Sequence, residues 1–277
     1  MSRRRLLPLA AVALTAATTL LMSAPAIAEA GPPPASMAAI GDSITRGFNA
    51  CGWYSDCTSR NWSTGDNATV NSHYLRIRAR NSAISGKNYN VAKTGAKSDA
   101  LPGQAQAAAN RGAGYVTILI GANDACTSTE SAMTPVSTFR GRVDSALATL
   151  KSGVPAAKVF IISVPDIKRL WFVGKDSSSA RSTWSTFGIC KSMLANPTST
   201  APADEARRNR VRQRVVEYNE QYAAACAAYG PNCQFDGNAA FNYPFALSQV
   251  STWDYFHPNA TGQRVLAQIS YDAGFGW

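Results

Sequence analysis

Apolar residues in this chain follow two distinct patterns. Met37-Ala38-Ala39-Ile40, Tyr115-Val116-Thr117-Ile118-Leu119-Ile120 and Val159-Phe160-Ile161-Ile162-Ser163-Val164 run almost without alternation and stop at Gly41, Gly121 and Pro165. Short unalternated runs of this kind predict strands buried on both faces. Tyr89 to Val91 and Phe235 add two shorter candidates. Between them Val136, Phe139, Val143, Leu147 and Leu150 recur at helical spacing over 135–151, with Gly153 as a stop signal. Further helices are predicted at about 72–80, 102–110, 204–229 and 259–273. Residues 49–70, rich in Gly, Ser, Thr, Asn and Cys, read as a long loop. Residues 168–203 show no clear period. Strands alternating with helices predict a parallel sheet covered on both faces, with reactive groups at the carboxyl ends of the strands.

Residues 1–28 stand apart from this pattern. Arg3, Arg4 and Arg5 precede an apolar stretch from Leu6 to Met22 and a small-residue site at Ala26-Ile27-Ala28. That order predicts a secretory signal peptide, with residues 29–277 as a single domain. Pro25 and Pro32-Pro33-Pro34 argue against a spanning anchor. Loss of the three arginines takes the formal net charge from +10 to +7. The one dense basic run, Arg207 to Arg214, lies on a predicted helix and reads as a solvated face, so no nucleic-acid partner is expected. In an exported chain six cysteines imply disulfides. Of the fifteen possible pairings the sequential one is favoured: Cys51–Cys57, Cys126–Cys190 and Cys226–Cys233. With two histidines and no Cys-x-x-Cys pair, a His/Cys zinc site is not expected.

Only two histidines can serve as a near-neutral base. His73 opens a helix beside nothing suggestive and reads as structural or surface. His257 sits in Asp254-Tyr255-Phe256-His257-Pro258, where one turn would bring the Asp254 carboxylate to the imidazole and fix its tautomer. Ser43 follows the first strand and Gly41, where a helix or tight turn begins. Its hydroxyl there is exposed, with backbone N–H groups and a helix dipole to favour an anion; by position alone an N-cap is the better reading. Gly95 offers an unobstructed backbone N–H and Asn123 a side-chain amide, each at a strand end. With the Ser43 N–H they could form an oxyanion hole, although singly they also read as a turn glycine and a capping asparagine.

Together these blocks resemble the SGNH, or GDSL, hydrolases. Gly41-Asp42-Ser43-Ile44-Thr45 is similar to the first block of that family, Gly95 to the second, Gly121-Ala122-Asn123-Asp124 to the third and Asp254-Tyr255-Phe256-His257-Pro258 to the fifth. The resemblance implies a flavodoxin-like three-layer α/β/α sandwich with a central parallel sheet. It implies Ser43 as nucleophile, His257 as base, Asp254 as its support, and Ser43 N–H, Gly95 N–H and the Asn123 amide as oxyanion donors. Some members replace the acid with a backbone carbonyl, which puts the weight of Asp254 below that of Ser43 or His257. The three-disulfide exported form resembles lipases and esterases of actinobacteria.

The expectation is therefore a secreted serine esterase or lipase working through an acyl-enzyme without metal or organic cofactor. The expected substrate is a small-molecule or lipid ester, with transient contact to a lipid surface, and the expected state is a monomer. A polysaccharide O-acetyl esterase is the enzymatic alternative, and a non-catalytic surface- or carbohydrate-binding protein the alternative from another class. Trp53, Tyr54, Trp62, Trp171, Phe172, Trp184 and Phe187 could line an acyl groove or simply anchor loops.

Overall fold

The structure, a computed structural model, describes Met1 and residues 31–277; the predicted signal peptide otherwise lies outside the described residues. Five strands, β1 (Met37–Gly41), β2 (Asn88–Asn90), β3 (Tyr115–Leu119), β4 (Lys158–Ile161) and β5 (Cys233–Phe235), form one sheet in the order β2-β1-β3-β4-β5. Every pairing is parallel. The unalternated apolar strands have their physical reason here, because both sides of the sheet are covered. Ala38, Ile40, Val116, Ile118, Val159 and Ile161 face a core shared with α2 (Leu101–Asn110), α4 (Val136–Gly153) and α8 (Pro202–Tyr229). Met37, Tyr115, Leu119 and Phe160 face the opposite core, shared with α1 (His73–Arg80) and α10 (Ala260–Asp272). The result is a three-layer α/β/α sandwich.

Chain direction across the sheet reverses between β1 and β3, and that is where a parallel sheet opens a crevice at its carboxyl edge. Two side chains missed in the sequence hold this edge. Gln104 accepts from Gly41 N at 2.6 Å and donates to Gly41 O at 2.9 Å. Gln263 donates to Ile44 O and accepts from Trp62 N. Gln104 lies on an otherwise apolar helix face, Leu101-Gln104-Ala105-Ala108, and Gln263 on a buried face shared with Leu266, Ala267 and Ser270. A polar residue on a buried face needs a partner, and that pattern was readable from the sequence. At Gly41 a Cβ would stand 2.3 Å from Leu119 O, so only glycine fits between β1 and β3.

Two expectations are corrected. The aperiodic stretch after β4 contains α5 (Ile167–Gly174), α6 (Ser178–Phe187) and α7 (Lys191–Leu194), beside the short α3 (Ala122–Ala125) and α9 (Ala239–Asn242) elsewhere. α5 sets Ile167, Trp171 and Gly174 on one buried face at helical spacing, a period shorter than the stretch of loop-like composition around it. Local capping marks α5 and α6: Asp166 and Ser177 accept first-turn N–H groups, and Gly188 ends α6 at φ +62°. Nor is the Arg207–Arg214 run a free face. Arg208 is fully buried, stacked 4.4 Å from the Trp171 ring and donating to Ser199 O and Glu205. Arg210 pairs with Glu130 and Arg212 with Asp166. The arginines brace α8 against its neighbours.

Disulfides join Cys51 to Cys57, Cys126 to Cys190 and Cys226 to Cys233. The second closes 64 residues and ties the end of α3 to the start of α7. Among the described residues no helix is long and apolar enough to cross a membrane.

Candidate active site

At the carboxyl edge of β1 the chain turns sharply and places Ser43 beside residues that follow it by more than two hundred positions. Arg46 N donates to Asp42 O and Phe48 N to Ser43 O. These are tight turns through residue 50 and no regular helix, so the expected helix dipole behind Ser43 is replaced by turn N–H groups. Ser43 is 4% exposed, and its Oγ lies 2.7 Å from His257 Nε2. His257 Nδ1 in turn lies 2.5 Å from Asp254 Oδ2.

The Asp254–His257 turn is built by its own side chain. Asp254 Oδ1 accepts from Phe256 N and His257 N, an Asx-type turn that presents the other oxygen to the ring. Tyr255 sits at φ +50°, a left-handed conformation costing a bulky residue roughly 1–2 kcal/mol. Its carbonyl is held by the Trp184 Nε1–H at 2.9 Å. Asn49 Nδ2 donates to Asp254 Oδ2 at 2.7 Å, a contact across 205 residues that no sequence signal announced. The His257 ring packs between Phe256 and Phe48, at 5.1 and 4.9 Å.

Gly95 lies in the turn after β2 at φ +79°. Among the described residues neither its N–H nor that of Ser43 has a hydrogen-bond partner. Asn123, the second residue of α3, spends one amide hydrogen on Ala96 O at 2.9 Å, which orients the amide against the Gly95 turn. Asp124 fixes the same turn by accepting from Ser98 N and Oγ. Asp42, beneath Ser43, accepts from Ile44 N. Burial, and secondarily the Asp124 charge, push the Asp42 carboxyl up to about 7, against the lowering effects of the Ile44 N–H and His257.

His73 lies elsewhere, buried in the core below the sheet. Its ring nitrogens meet Tyr115 OH at 2.9 Å and Ser270 Oγ at 2.7 Å, and Trp62 packs edge-on against it. Burial, with Arg76 adding to it, lowers its pKa to about 3. A histidine depressed from 6.5 contributes stability that is present above 6.5 and lost as pH falls towards 3. Asp42, raised in the native state, slopes the other way between about 4 and 7, so His73 is best isolated by comparison. We expect the stability lost on His73→Gln to shrink by about 3 kcal/mol between pH 6.5 and pH 4 in urea titrations. A pH-independent difference would contradict a neutral buried ring.

A mainly apolar slot is lined by Ile44, Phe256 and Pro258, the chain neighbours of Ser43 and His257, together with Ala122, Leu170, Val173 and Phe245, with Asp166 and Gln249 as its polar members. The aromatic residues singled out in the sequence are not among its walls. Trp62, Trp171 and Trp184 are buried anchors, while Trp53, Tyr54, Phe172 and Phe187 are exposed.

Residues 37–269 match the profile of the GDSL-like Lipase/Acylhydrolase family. The chain belongs to that family. It is accordingly a carboxylic-ester hydrolase. Among solved structures it is similar to an extracellular lipase from Streptomyces rimosus, at 19% identity and TM-score 0.52, covering 86% of this chain and 99% of that one. Phospholipase A1 from Streptomyces albidoflavus NA297 follows at 18% identity and TM-score 0.51, with the same coverage. An acetyl-xylooligosaccharide esterase from Geobacillus gives 12% and 0.50, covering 87% of this chain and 94% of that one. These likenesses establish the fold. A comparison with curated protein sequences gave no significant match.

Proposed function

We propose that this GDSL hydrolase is an exported lipolytic esterase in which Ser43 is the nucleophile, His257 the general base and Asp254 its support. The observation that carries this reading is the continuous Ser43–His257–Asp254 relay, at 2.7 and 2.5 Å, opening beside an apolar slot. With Nδ1–H donated to Asp254, Nε2 is free to take the Ser43 proton as Oγ attacks the ester carbonyl. The Ser43 and Gly95 N–H groups and the second Asn123 amide hydrogen receive the oxyanion, each donor worth roughly 3 kcal/mol of barrier. His257 then protonates the departing alcohol, and water repeats the sequence on the acyl-enzyme. Export is supported by the signal-like residues 1–28 and the three disulfides, which persist in oxidising compartments. Residues 29–277 would be the mature domain; Gly31–Trp277 forms one compact unit.

Chain-length preference tests the lipolytic part. Each methylene that enters the slot contributes about 0.8 kcal/mol, roughly four-fold in kcat/KM. Nitrophenyl octanoate is therefore expected to exceed nitrophenyl acetate by about a hundred-fold or more. A profile that peaks at acetate would overturn the lipolytic reading in favour of a deacetylase.

A further inference from the structure

Beyond the catalytic groups, the mouth of the site carries a feature that ester hydrolysis in itself does not require. Trp53, Tyr54 and Trp253 are 66%, 61% and 51% exposed. They form one cluster. Trp53 and Tyr54 sit on the loop closed by Cys51–Cys57, and Trp253 Nε1 donates to Gly52 O of that loop at 2.6 Å. The loop is held rigidly from below: Asn49 N donates to Ser55 O, Cys57 N to Arg46 O, and Arg46 pairs with Asp56 at 2.8 Å. Trp253 Nε1 and the edge of Tyr54 hold the loop, yet more than half of each ring is left in water, which gives the fold nothing. At a lipid–water boundary the same rings have both an apolar body and a polar edge to satisfy.

Continuity with the slot points to the occupant. Phe256 lines the slot and touches His257, His257 touches Phe48, and Phe48 meets Tyr54 edge-on at 5.0 Å. An apolar strip therefore runs from the slot, past the imidazole, to the exposed rim. Charge agrees with it. Arg60 donates to Ala50 O at the base of that loop, Lys93 is exposed in the turn that carries Gly95, and the chain beyond residue 28 carries a formal +7. We infer that Trp53, Tyr54 and Trp253 form a docking surface for a lipid–water interface, preferentially an anionic one, that delivers an ester from the lipid layer into the slot. This rests on the lipolytic reading above. Polysaccharide stacking, the other common use of exposed Trp and Tyr, fits less well because the adjoining slot is lined mainly by aliphatic and phenyl side chains, with Asp166 and Gln249 its two polar members.

The test uses the Ser43→Ala protein, so that lipid is bound without being consumed, and vesicles of phosphatidylcholine alone or mixed equally with phosphatidylglycerol. Sedimentation is expected to show binding that is stronger to the mixed vesicles. Adding Trp53→Ala and Tyr54→Ala is expected to lower the partition coefficient about ten-fold or more. In the parent with Ser43 intact, the same pair of substitutions is expected to leave kcat/KM on monomeric nitrophenyl butyrate within about two-fold, which also reports an intact fold. Absence of vesicle binding, or equal partition with and without the two rings, overturns the docking surface. Binding to insoluble xylan that depends on the rings would overturn it too and reassign the rim to polysaccharide. The chain-length profile in water is read separately, so failure of the lipolytic reading and failure of the docking surface are distinguishable.

Discussion

Replacing Ser43 with alanine is expected to lower kcat on a soluble nitrophenyl ester by about 10^5- to 10^6-fold. The substitution removes one oxygen from a nearly buried side chain and one hydrogen bond, to His257 Nε2. That bond is worth about 1 kcal/mol in stability, so the fold is expected to survive. The oxyanion donors and the slot also survive, and they account for whatever residual catalysis remains over water. The loss should appear in kcat with KM changed little, because the hydroxyl forms its new bond only as the reaction proceeds. A variant within ten-fold of the parent would remove Ser43 from the reaction and leave it a buried turn residue paired with His257.

Asp254→Asn is expected to cost about 10^3- to 10^4-fold in kcat, measured on the same ester. Every partner of the Asp254 carboxylate is a donor: Phe256 N and His257 N on Oδ1, Asn49 Nδ2 and His257 Nδ1 on Oδ2. An asparagine amide must turn its NH2 towards one of those pairs. Facing the backbone pair, it breaks the turn that presents His257. Facing the ring, it favours the tautomer with the proton on Nε2, which cannot accept from Ser43. Either way the relay fails without any change of shape or volume. Retention of a third or more of the activity would show that a backbone carbonyl or the Asn49 side chain carries the orientation of His257.

The parts of this protein that were legible in its sequence are those whose cause is local. β1, β3 and β4 announce themselves because strands buried on both faces need apolar residues at successive positions. Ser43, Gly95 and Asn123 stand at strand ends, where a parallel sheet must hand over to loops, and Asp254 and His257 lie within one turn of each other. What was not legible depends on partners far along the chain. Nothing near Asn49 says that it will meet Asp254. Trp171 and Trp184 look the same in sequence as Phe245 and Phe256, yet the first two became anchors and the last two walls. Arg208 reads as a surface cation until the Trp171 ring and three acceptors enclose it. α5 and α6 were marked by their caps, Asp166 and Ser177, while the four-residue α7 has neither a period nor a side-chain cap.

The relay closes between positions 214 residues apart, and the ring of Trp277 packs 5.1 Å from that of Tyr115 on β3. In the proposed mechanism the nucleophile is therefore synthesised long before its base. A chain that still lacks residues 254–257 has no relay, so chain order alone sets the earliest moment at which activity can begin.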